Sequence, residues 1–303
     1  MNLRIVVCLI ALVAFASCSP VQRSFDSAAS SGTSTSGAGT GGSGSTGVTE
    51  SVADASAASG SGGSGGSAPD GAATTYARCA DLPSTAPSGV YSIKPPGATE
   101  ALSVYCETKD AGGGWALLFN SVGSTAGTTT PFWRISYTDR FAPKGTPSVK
   151  ENFYLGQLYI YGLEYRDEVE DIAHKVTEVL RAKVATFDPS TMRFGGATRV
   201  DTYKDDQDLA AKEIFGSHIN GGWSSVDFDG DTSGDKNCAA IYVGVTQHYD
   251  YCFVYNLGAD GDMPYEDGNW GPHMYGPHAT RLGITSDGTL YTRVGRITRW
   301  VRW

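Results

Sequence analysis

The chain has 303 residues, with 23 Lys and Arg against 32 Asp and Glu, and its formal net charge is −9. An acidic balance without a basic cluster gives no electrostatic footprint for a nucleic acid, so we expect no nucleic-acid partner. From Tyr76 onward the sequence contains no G-x-S-x-G elbow, no H-E-x-x-H pair and no phosphate-binding loop, and we expect a protein that is not an enzyme.

Residues 1–18 form a predicted export signal. Arg4 supplies a short basic region, and residues 5–15 are almost wholly apolar, which is too short to span a bilayer that needs about 20 residues. The stretch ends at Cys18 after two small residues, which resembles a bacterial lipoprotein signal whose cysteine is lipidated. An ordinary secretory signal cleaved nearby is the alternative. We expect an exported chain, anchored to the bacterial envelope only through Cys18, at the outer membrane or cell surface.

Residues 19–75 are dominated by Ser, Gly, Ala and Thr and contain hardly an aromatic. Such a composition cannot bury enough apolar surface to offset its conformational entropy, so we predict a disordered linker. Residues 76–303 are rich in Tyr and Trp with short apolar runs, and we predict one folded domain there. The linker would act as a tether that holds this domain away from a membrane surface.

Short runs rich in β-branched and aromatic residues predict strands in the first half of the folded domain. These strands are residues 89–93, 102–106, 115–119 and 153–160. Between Glu168 and Lys183 apolar residues recur partly at helical spacing, which favours a helix, although residues 179–187 are equally typical of a strand. The remaining predicted elements are a short helix at 206–215 and strands at 239–245 and 296–303. Long loops lie between them, and the pattern predicts an α+β domain.

Six cysteines are present; Cys8 lies inside the predicted signal, and Cys18 is the predicted lipidation site. An even number of cysteines in the remaining exported domain predicts disulfides. The four cysteines of that domain are Cys79, Cys106, Cys238 and Cys252. They allow three connectivities, of which neighbour pairing is the simplest because it closes two local loops.

An acidic loop, DFDGDTSGDKNC, occupies residues 227–238. Oxygen-bearing side chains stand at every second position in it, a spacing suited to wrapping one hard cation such as Ca²⁺. The predicted metal ligands are Asp229, Asp231, Ser233 and Asp235. Interspersed glycines permit the backbone turns that wrapping requires. A solvated acidic turn is the alternative for a run of this composition.

The acidic loop differs from an EF-hand. With Asp229 at position 1, the twelfth position, which needs a bidentate glutamate, holds Ala240. The flanking residues 221–226 and 239–245 are typical of a loop and a strand, so we predict a calcium loop in a β context. A second group of carboxylates could form another cation site or a solvated loop. Its members are Asp260, Asp262, Glu266 and Asp267.

Several motifs follow one another along the folded domain. In order they are Cys79, SGVYSIKPP at 88–96, VYC at 104–106, GGGW at 112–115, ENFYLGQLYIYGL at 151–163, HINGGWSS at 218–225, NCA at 237–239, YCFVYNLG at 251–258 and GNW at 268–270. Taken in this order, with both cysteine pairs, they resemble the fibrinogen-like C-terminal domain family over essentially all of the folded part.

The resemblance implies a particular form of the α+β class. It implies a small N-terminal disulfide subdomain, a central mixed or antiparallel sheet with short helices, and a loop-rich calcium-binding subdomain. It implies side-chain calcium ligation by Asp229 and Asp231, completed by backbone carbonyls near Ser233 and Asp235. It also implies a cis peptide bond before Cys252.

In lectin members of that family, this turn and nearby aromatics form a pocket for the acetyl groups of N-acetylated sugars. The ligand-binding residues implied here are Tyr249, Tyr251, Cys252, Phe253, Tyr255 and Trp270. The chain departs from the family pattern near this pocket. Phe253 stands in place of a histidine, while Gln247 and His273 stand in place of tryptophans.

Two functions are consistent with these observations. The first is an exported, surface-tethered, calcium-binding recognition module, lectin-like, which binds glycans or acetylated groups beside the Ca²⁺ site. The alternative is a structural or adhesive domain that docks on a surface protein, in which calcium and disulfides only stabilise the fold.

Overall fold

A computed structural model describes residues 74–123, 129–200, 219, 221–234, 236–249, 252, 255–258, 271–285 and 290–303. These residues lie within one compact unit, Gly66–Trp303. The predicted export signal, nearly all of the predicted linker and the predicted helix at 206–215 lie outside the described residues. Within the described ranges, no helix is long and apolar enough to cross a membrane.

Short strands supply most of the described secondary structure. In chain order they are β1 (Thr75–Tyr76), β2 (Gly89–Ile93), β3 (Leu102–Glu107), β4 (Trp115–Val122), β5 (Pro143–Lys144), β6 (Phe153–Leu155), β7 (Glu164–Glu170), β8 (Val176–Lys183), β9 (Thr186–Asp188), β10 (Arg193–Gly195), β11 (Thr198–Arg199), β12 (Gly222–Ser224), β13 (Gln247–Tyr249), β14 (Tyr255–Asn256), β15 (His273–Tyr275), β16 (Tyr291–Arg293) and β17 (Arg296–Arg302). Helical segments are brief. They are the α-helices Thr129–Trp133, Cys238–Ile241 and Gly276–Leu282 and the 3₁₀-helices Cys79–Asp81, Asp110–Gly112 and Gly156–Ile160.

Ten of these strands form one mixed sheet. Its main path runs β1-β2-β3-β4-β17-β7-β8-β11, with β6 paired to β4 and β5 paired to β6. Only β1 and β2 are parallel, and the other pairs are antiparallel. Three smaller sheets pair β9 with β10, β12 with β13, and β14 with β15 and β16. A mixed sheet with few short helices confirms the predicted fold class.

The closing strand β17 lies at the centre of the main sheet, between β4 and β7. Its inward side carries a buried ion pair: Arg299 donates from Nε and Nη2 to the two carboxylate oxygens of Asp167, each at 2.7 Å. Arg299 also donates to the hydroxyl of Tyr255 at 3.2 Å. Because all three side chains are buried, this polar network links the main sheet to β14 inside the core.

Two strands of the N-terminal subdomain and both disulfides of the folded domain agree with the sequence prediction. The predicted strands at 89–93 and 102–106 are confirmed as β2 and β3, and the structure pairs them antiparallel. The disulfides pair neighbours, Cys79 with Cys106 and Cys238 with Cys252, at Cα–Cα distances of 5.4 and 5.0 Å. These two bonds confirm the simplest of the three connectivities.

The predicted helix between Glu168 and Lys183 is wrong, because these residues belong to the hairpin of β7 and β8. The alternative, a strand within 179–187, is confirmed by β8 and the start of β9. The turn is closed by the Asp171 carboxylate, which accepts from the N–H groups of Ala173 and Lys175 at 2.9 Å each. Although burial alone raises the pKa of Asp171, its backbone hydrogen bonds lower that pKa to about 2. Pairing of β7 with both β8 and β17 outweighs the local helical spacing of the apolar residues.

Two further predictions are corrected. The predicted strand at 153–160 ends at Leu155, because Gly156 passes the carbonyl of Arg140 so closely that a Cβ would lie 1.9 Å from its oxygen. The predicted strand at 239–245 begins instead as the helix Cys238–Ile241, since the side chain of Asn237 accepts from Ala240 N at 3.0 Å and caps it. On the other flank of the acidic loop, the predicted loop contains the strand β12.

Candidate cation and ligand site

Two strands and a close glycine contact position the acidic loop. β12, which precedes the loop, pairs antiparallel with β13. A Cβ on Gly222 would lie 1.4 Å from the carbonyl oxygen of Gly230, so the loop crosses β12 at a distance that only glycine permits. Arg193, on β10, donates from Nη2 to that same carbonyl at 2.5 Å. The start of the loop is therefore held from both sides.

The buried hydroxyl of Ser224 organises the turn at Asp231. It donates to Asp231 Oδ2 at 3.0 Å and accepts from the N–H groups of Gly230 and Asp231, each at 3.0 Å. A hydroxyl has one donor and two acceptor sites, and all three are used. Sequence reasoning missed this role, since serine on a short strand has no distinctive signal.

The Asp231 carboxylate is fixed by two further hydrogen bonds. Its Oδ2 accepts from Cys238 N at 2.9 Å, and its Oδ1 accepts from Ser233 N at 2.9 Å. The first bond ties the carboxylate to the residue that forms the second disulfide. Asp231 is thus preorganised by the loop itself.

Asp229 lies beside this fixed carboxylate. Burial and the negative charge of Asp231 together raise the pKa of Asp229 above its usual value. Among the described residues, neither carboxylate has a Lys or Arg within ion-pair distance. Two carboxylates that share a site without a counter-charge are the arrangement that a bound cation relieves.

Asp227, two residues earlier, has a different role. Its carboxylate accepts from Ser225 Oγ at 2.6 Å and from Tyr137 N at 3.0 Å. The bond from Ser225, the largest influence, lowers the pKa of Asp227. Asp227 therefore braces the loop against residue 137 and is engaged away from the Asp229–Asp231 pair.

The structure places two of the four predicted metal ligands side by side. Asp229 and Asp231 are adjacent, Ser233 contacts Asp231 through its N–H group, and Asp235 lies outside the described residues. In the described part of the chain, no group of three or more His, Cys, Asp or Glu side chains converges on one point. The donors present are oxygens, which suits Ca²⁺, and the ion would need backbone carbonyls and water in addition.

The second disulfide joins the acidic loop to the Cys252 turn. Cys252 has φ +78°, in the left-handed region that non-glycine residues rarely occupy. Its Sγ lies 3.9 Å from the hydroxyl of Ser233. The predicted cis bond involves Tyr251, which lies outside the described residues. The predicted pocket residues Phe253 and Trp270 and the second acidic group at 260–267 lie outside them too.

Two predicted pocket walls occupy the interior. Tyr249 is fully buried, its hydroxyl donates to Val245 O at 2.6 Å, and its ring stacks on Tyr242 with centroids 6.2 Å apart. Tyr255 is 1% exposed and its hydroxyl accepts from Arg299. Tyr249 packs in one buried cluster with Cys238 and Cys252, and neither ring forms an open wall.

Gln247 and His273, which depart from the family pattern, are also buried in the protein interior. The Gln247 amide donates to Tyr255 O at 2.7 Å and accepts from Leu257 N at 3.0 Å, so it brackets the backbone of β14. His273 is buried with Nδ1 3.1 Å from Gly271 O, and burial lowers the pKa of His273 to about 4. Both side chains are therefore used within the fold and do not line an open pocket.

Residues 77–269 match the family described as "Fibrinogen beta and gamma chains, C-terminal globular domain". Because this match covers more than half of the chain, the protein belongs to that family. The fibrinogen alpha chain of Rattus norvegicus is 28% identical over 230 residues, covering 71% of this chain and 28% of that protein. The fibrinogen alpha chain of Homo sapiens is 27% identical over 214 residues, covering 67% and 23%. The chain spans about a quarter of the length of these relatives.

Two solved structures share the fold. The fibrinogen-like globe domain of human ANGPTL6 superimposes with a TM-score of 0.53 and 20% identity, over 78% of this chain and 98% of that chain. The fibrinogen-like globe domain of human ANGPTL2 gives a TM-score of 0.50 and 18% identity, over 75% and 98%. At these identities the likeness establishes the fibrinogen-like globe fold and no more.

Proposed function

We propose that the chain is an exported recognition module in which Ca²⁺ binds the acidic loop and holds a ligand pocket beside the Cys238–Cys252 loop. The observation that carries this proposal is the Asp229–Asp231 pair, fixed by Ser224 and left without a cationic partner in the described residues. Oxygen ligands of this kind suit a hard cation. Backbone carbonyls near Ser233 and Asp235 would complete the coordination.

The proposed ligand is a glycan or another acetylated group. A backbone N–H of the Cys252 turn would bind the acetyl carbonyl, and aromatic rings would enclose the methyl group. Since Tyr249 and Tyr255 lie in the interior, the walls would come from Tyr251, Phe253 and Trp270. The bound cation would act by holding the turn in place through the disulfide and would perform no chemistry.

A glycan array in Ca²⁺ and in EDTA tests this proposal. Binding of N-acetylated sugars that requires Ca²⁺ and is displaced by free acetate is the expected result. Asp229→Asn should abolish this binding, whereas Asp227→Asn, in the same loop but bonded to Tyr137, should retain it. Binding that is unchanged in EDTA, or an array without any bound sugar, would contradict the proposal.

A structural or adhesive role is the second candidate. The observation that favours it is the interior position of Tyr249 and Tyr255, whose hydroxyls are used on Val245 and Arg299. In that case calcium would stabilise a surface that docks on another surface protein. A blank glycan array together with Ca²⁺-dependent thermal stability supports this candidate over the first.

The export signal and lipid anchor form part of the proposed function. The two disulfides support export, because such bonds persist in oxidising compartments. Metabolic labelling with a radioactive fatty acid should mark the protein in a bacterial host, and Cys18→Ser should lose the label. An unlabelled wild-type protein in the membrane fraction would contradict the lipid anchor.

A further inference from the structure

A surface cleft of about 460 Å³ lies beside the N-terminal disulfide subdomain. It is lined by Ala77, Arg78, Asp81, Pro96, Tyr161, Leu163 and Trp303. None of these residues belongs to the acidic loop or the Cys252 turn. The volume is within the range of about 300–1,000 Å³ that ligand pockets occupy. We call this site the aromatic cleft.

The apolar walls of the aromatic cleft are preorganised by packing within the chain. The rings of Tyr161 and Trp303 are inclined at 43°, with centroids 6.1 Å apart. Between the wall residues, Gly162 packs so tightly that a Cβ would lie 2.2 Å from Tyr165 Oη and 2.4 Å from Val301 Cγ2. This close packing fixes the turn that presents Tyr161 and the half-exposed Leu163.

Hydrogen bonding further orders the turn. Leu163 N donates to Arg302 O at 3.0 Å, and Val184 N donates to Leu163 O at 2.9 Å. Leu163 nevertheless keeps 55% of its surface exposed. Because the backbone of Leu163 is already ordered, a ligand that covers this side chain need not order the turn as well.

The charges of the aromatic cleft cancel. Arg78 Nη2 and Asp81 Oδ1 are 2.7 Å apart, and Arg78 Nε donates to Asp81 at 3.1 Å. The Asp81 carboxylate is thereby paired. Within the described residues Arg78 Nη1 makes no hydrogen bond, so it can donate to a ligand. A matching occupant is uncharged, apolar and supplied with hydrogen-bond acceptors but not donors.

We propose that the aromatic cleft binds an uncharged proline-rich segment in the extended polyproline conformation. Proline has no backbone N–H group, and its carbonyls stay unpaired in that conformation, so the segment offers acceptors only. Aromatic-lined grooves are the known means of recognising such segments. A neutral glycan fits less well, because its many hydroxyl donors would meet one carboxylate that is already paired with Arg78.

Calorimetric titration of the full chain with acetyl-hexaproline amide tests the proposal. Saturable binding is expected, and it should persist in EDTA and in Asp229→Asn, which separates this site from the acidic loop. Leu163→Asp should weaken binding at least about tenfold, because it places a charge against the apolar ligand. Ile172→Asp is the matched control at 52% exposure on the hairpin tip and should leave binding unchanged.

A second variant guards against a folding defect. Tyr161→Ala should also weaken hexaproline binding while the circular dichroism spectrum matches that of the wild type. The proposal is overturned if hexaproline binds no better than acetyl-hexaglycine amide, or if Leu163→Asp and Ile172→Asp have equal effects. Binding of maltohexaose in place of hexaproline would also overturn it and would identify the cleft as a glycan site.

Discussion

The carboxylates of the central sheet and those of the acidic loop differ in whether an arginine or lysine pairs with them. In the sheet, Asp167 is fully buried and both of its oxygens lie 2.7 Å from nitrogens of Arg299. In the loop, Asp229 and Asp231 lie side by side, and no Lys or Arg of the described residues forms an ion pair with either. The same type of side chain is neutralised within the chain in one region and left uncompensated in the other.

In both regions a pKa is raised, but the two shifts favour opposite charge states. Burial alone lowers the pKa of Arg299, but the charge of Asp167 more than offsets it, and the net shift is upward. This shift stabilises the charged form of the pair. For Asp229, burial and its neighbour Asp231 raise the pKa, which disfavours the charged form. The charged form is therefore stabilised in the Asp167–Arg299 pair and disfavoured at Asp229.

The largest expected effect is in the sheet. Asp167→Ala should reduce the free energy of unfolding by about 3–5 kcal/mol, because it leaves the Arg299 charge buried and unpaired. Urea denaturation at pH 7 measures it. Glu178→Ala, which removes a partly exposed pair with Arg181, is the control and should cost about 1 kcal/mol or less. Equal losses of unfolding free energy for the two variants would show that the buried pair contributes no more to stability than the partly exposed pair.

Calcium should have the next largest effect, and it should act only through the loop. At a free concentration 100-fold above the dissociation constant, a bound ion adds about 2.7 kcal/mol to the stability of the folded state. We expect a higher melting temperature in Ca²⁺ than in EDTA for the wild type and for Asp227→Asn. Asp229→Asn should lose this difference. A wild-type melting temperature that is insensitive to EDTA would show that the loop is not a calcium site.

A third prediction concerns acid stability in the core. His248 is buried against Phe194, and burial, aided by the charge of Arg299, lowers the pKa of His248 to about 3. The unfolded state takes up a proton near pH 6.5, so stability is lost as the pH falls from about 6.5 towards 3. The loss from this residue reaches about 2 kcal/mol at pH 5, at roughly 1.4 kcal/mol per pH unit.

Urea denaturation of His248→Gln at pH 7 and pH 5 checks this prediction. The variant should show a smaller loss between the two pH values than the wild type. His174→Gln changes a side chain that is 85% exposed and should keep the wild-type loss. The prediction fails if His248→Gln and the wild type lose stability equally.

Local patterns were sufficient for the elements whose partners are close in sequence. The strands β2 and β3 and the two disulfides involve partners at most 27 positions apart along the chain. β-Branched and aromatic content indicated the strands, and neighbour pairing was the simplest of the three cysteine connectivities. The loop at 227–238 was also recognisable as a candidate cation site, because its carboxylates and hydroxyls come from one short segment.

Features that depend on distant partners were not predictable. The Asp167–Arg299 pair joins residues 132 positions apart, and the sequence around each residue does not indicate its partner. The same holds for β7, whose helical spacing was overruled by pairing with β17. One miss was local: the cap formed by Asn237 on Ala240, three residues away, was hidden by the apolar residues that follow Asn237 and favour a strand.

The smallest expected effect separates two aspartates that are only two positions apart. In EDTA at pH 7, Asp229→Asn should leave stability unchanged or slightly raised, because it removes the repulsion from Asp231. With a raised native pKa, the folded state binds more protons than the unfolded state above about pH 4, so the ionised Asp229 costs stability as the pH rises. Any gain from the substitution should therefore be greatest at pH 7 and shrink as the pH falls towards 4.

Asp227→Asn should have the opposite sign in the same EDTA buffer. Its carboxylate is stabilised by Ser225 and Tyr137, and its lowered pKa means that its stabilisation is present at neutral pH and lost on acidification. Urea denaturation of both variants at pH 7 and pH 4 measures the difference. If both substitutions destabilise the protein equally in EDTA, the Asp229–Asp231 pair is compensated within the chain, as in the sheet, and the loop has no electrostatic need for a cation.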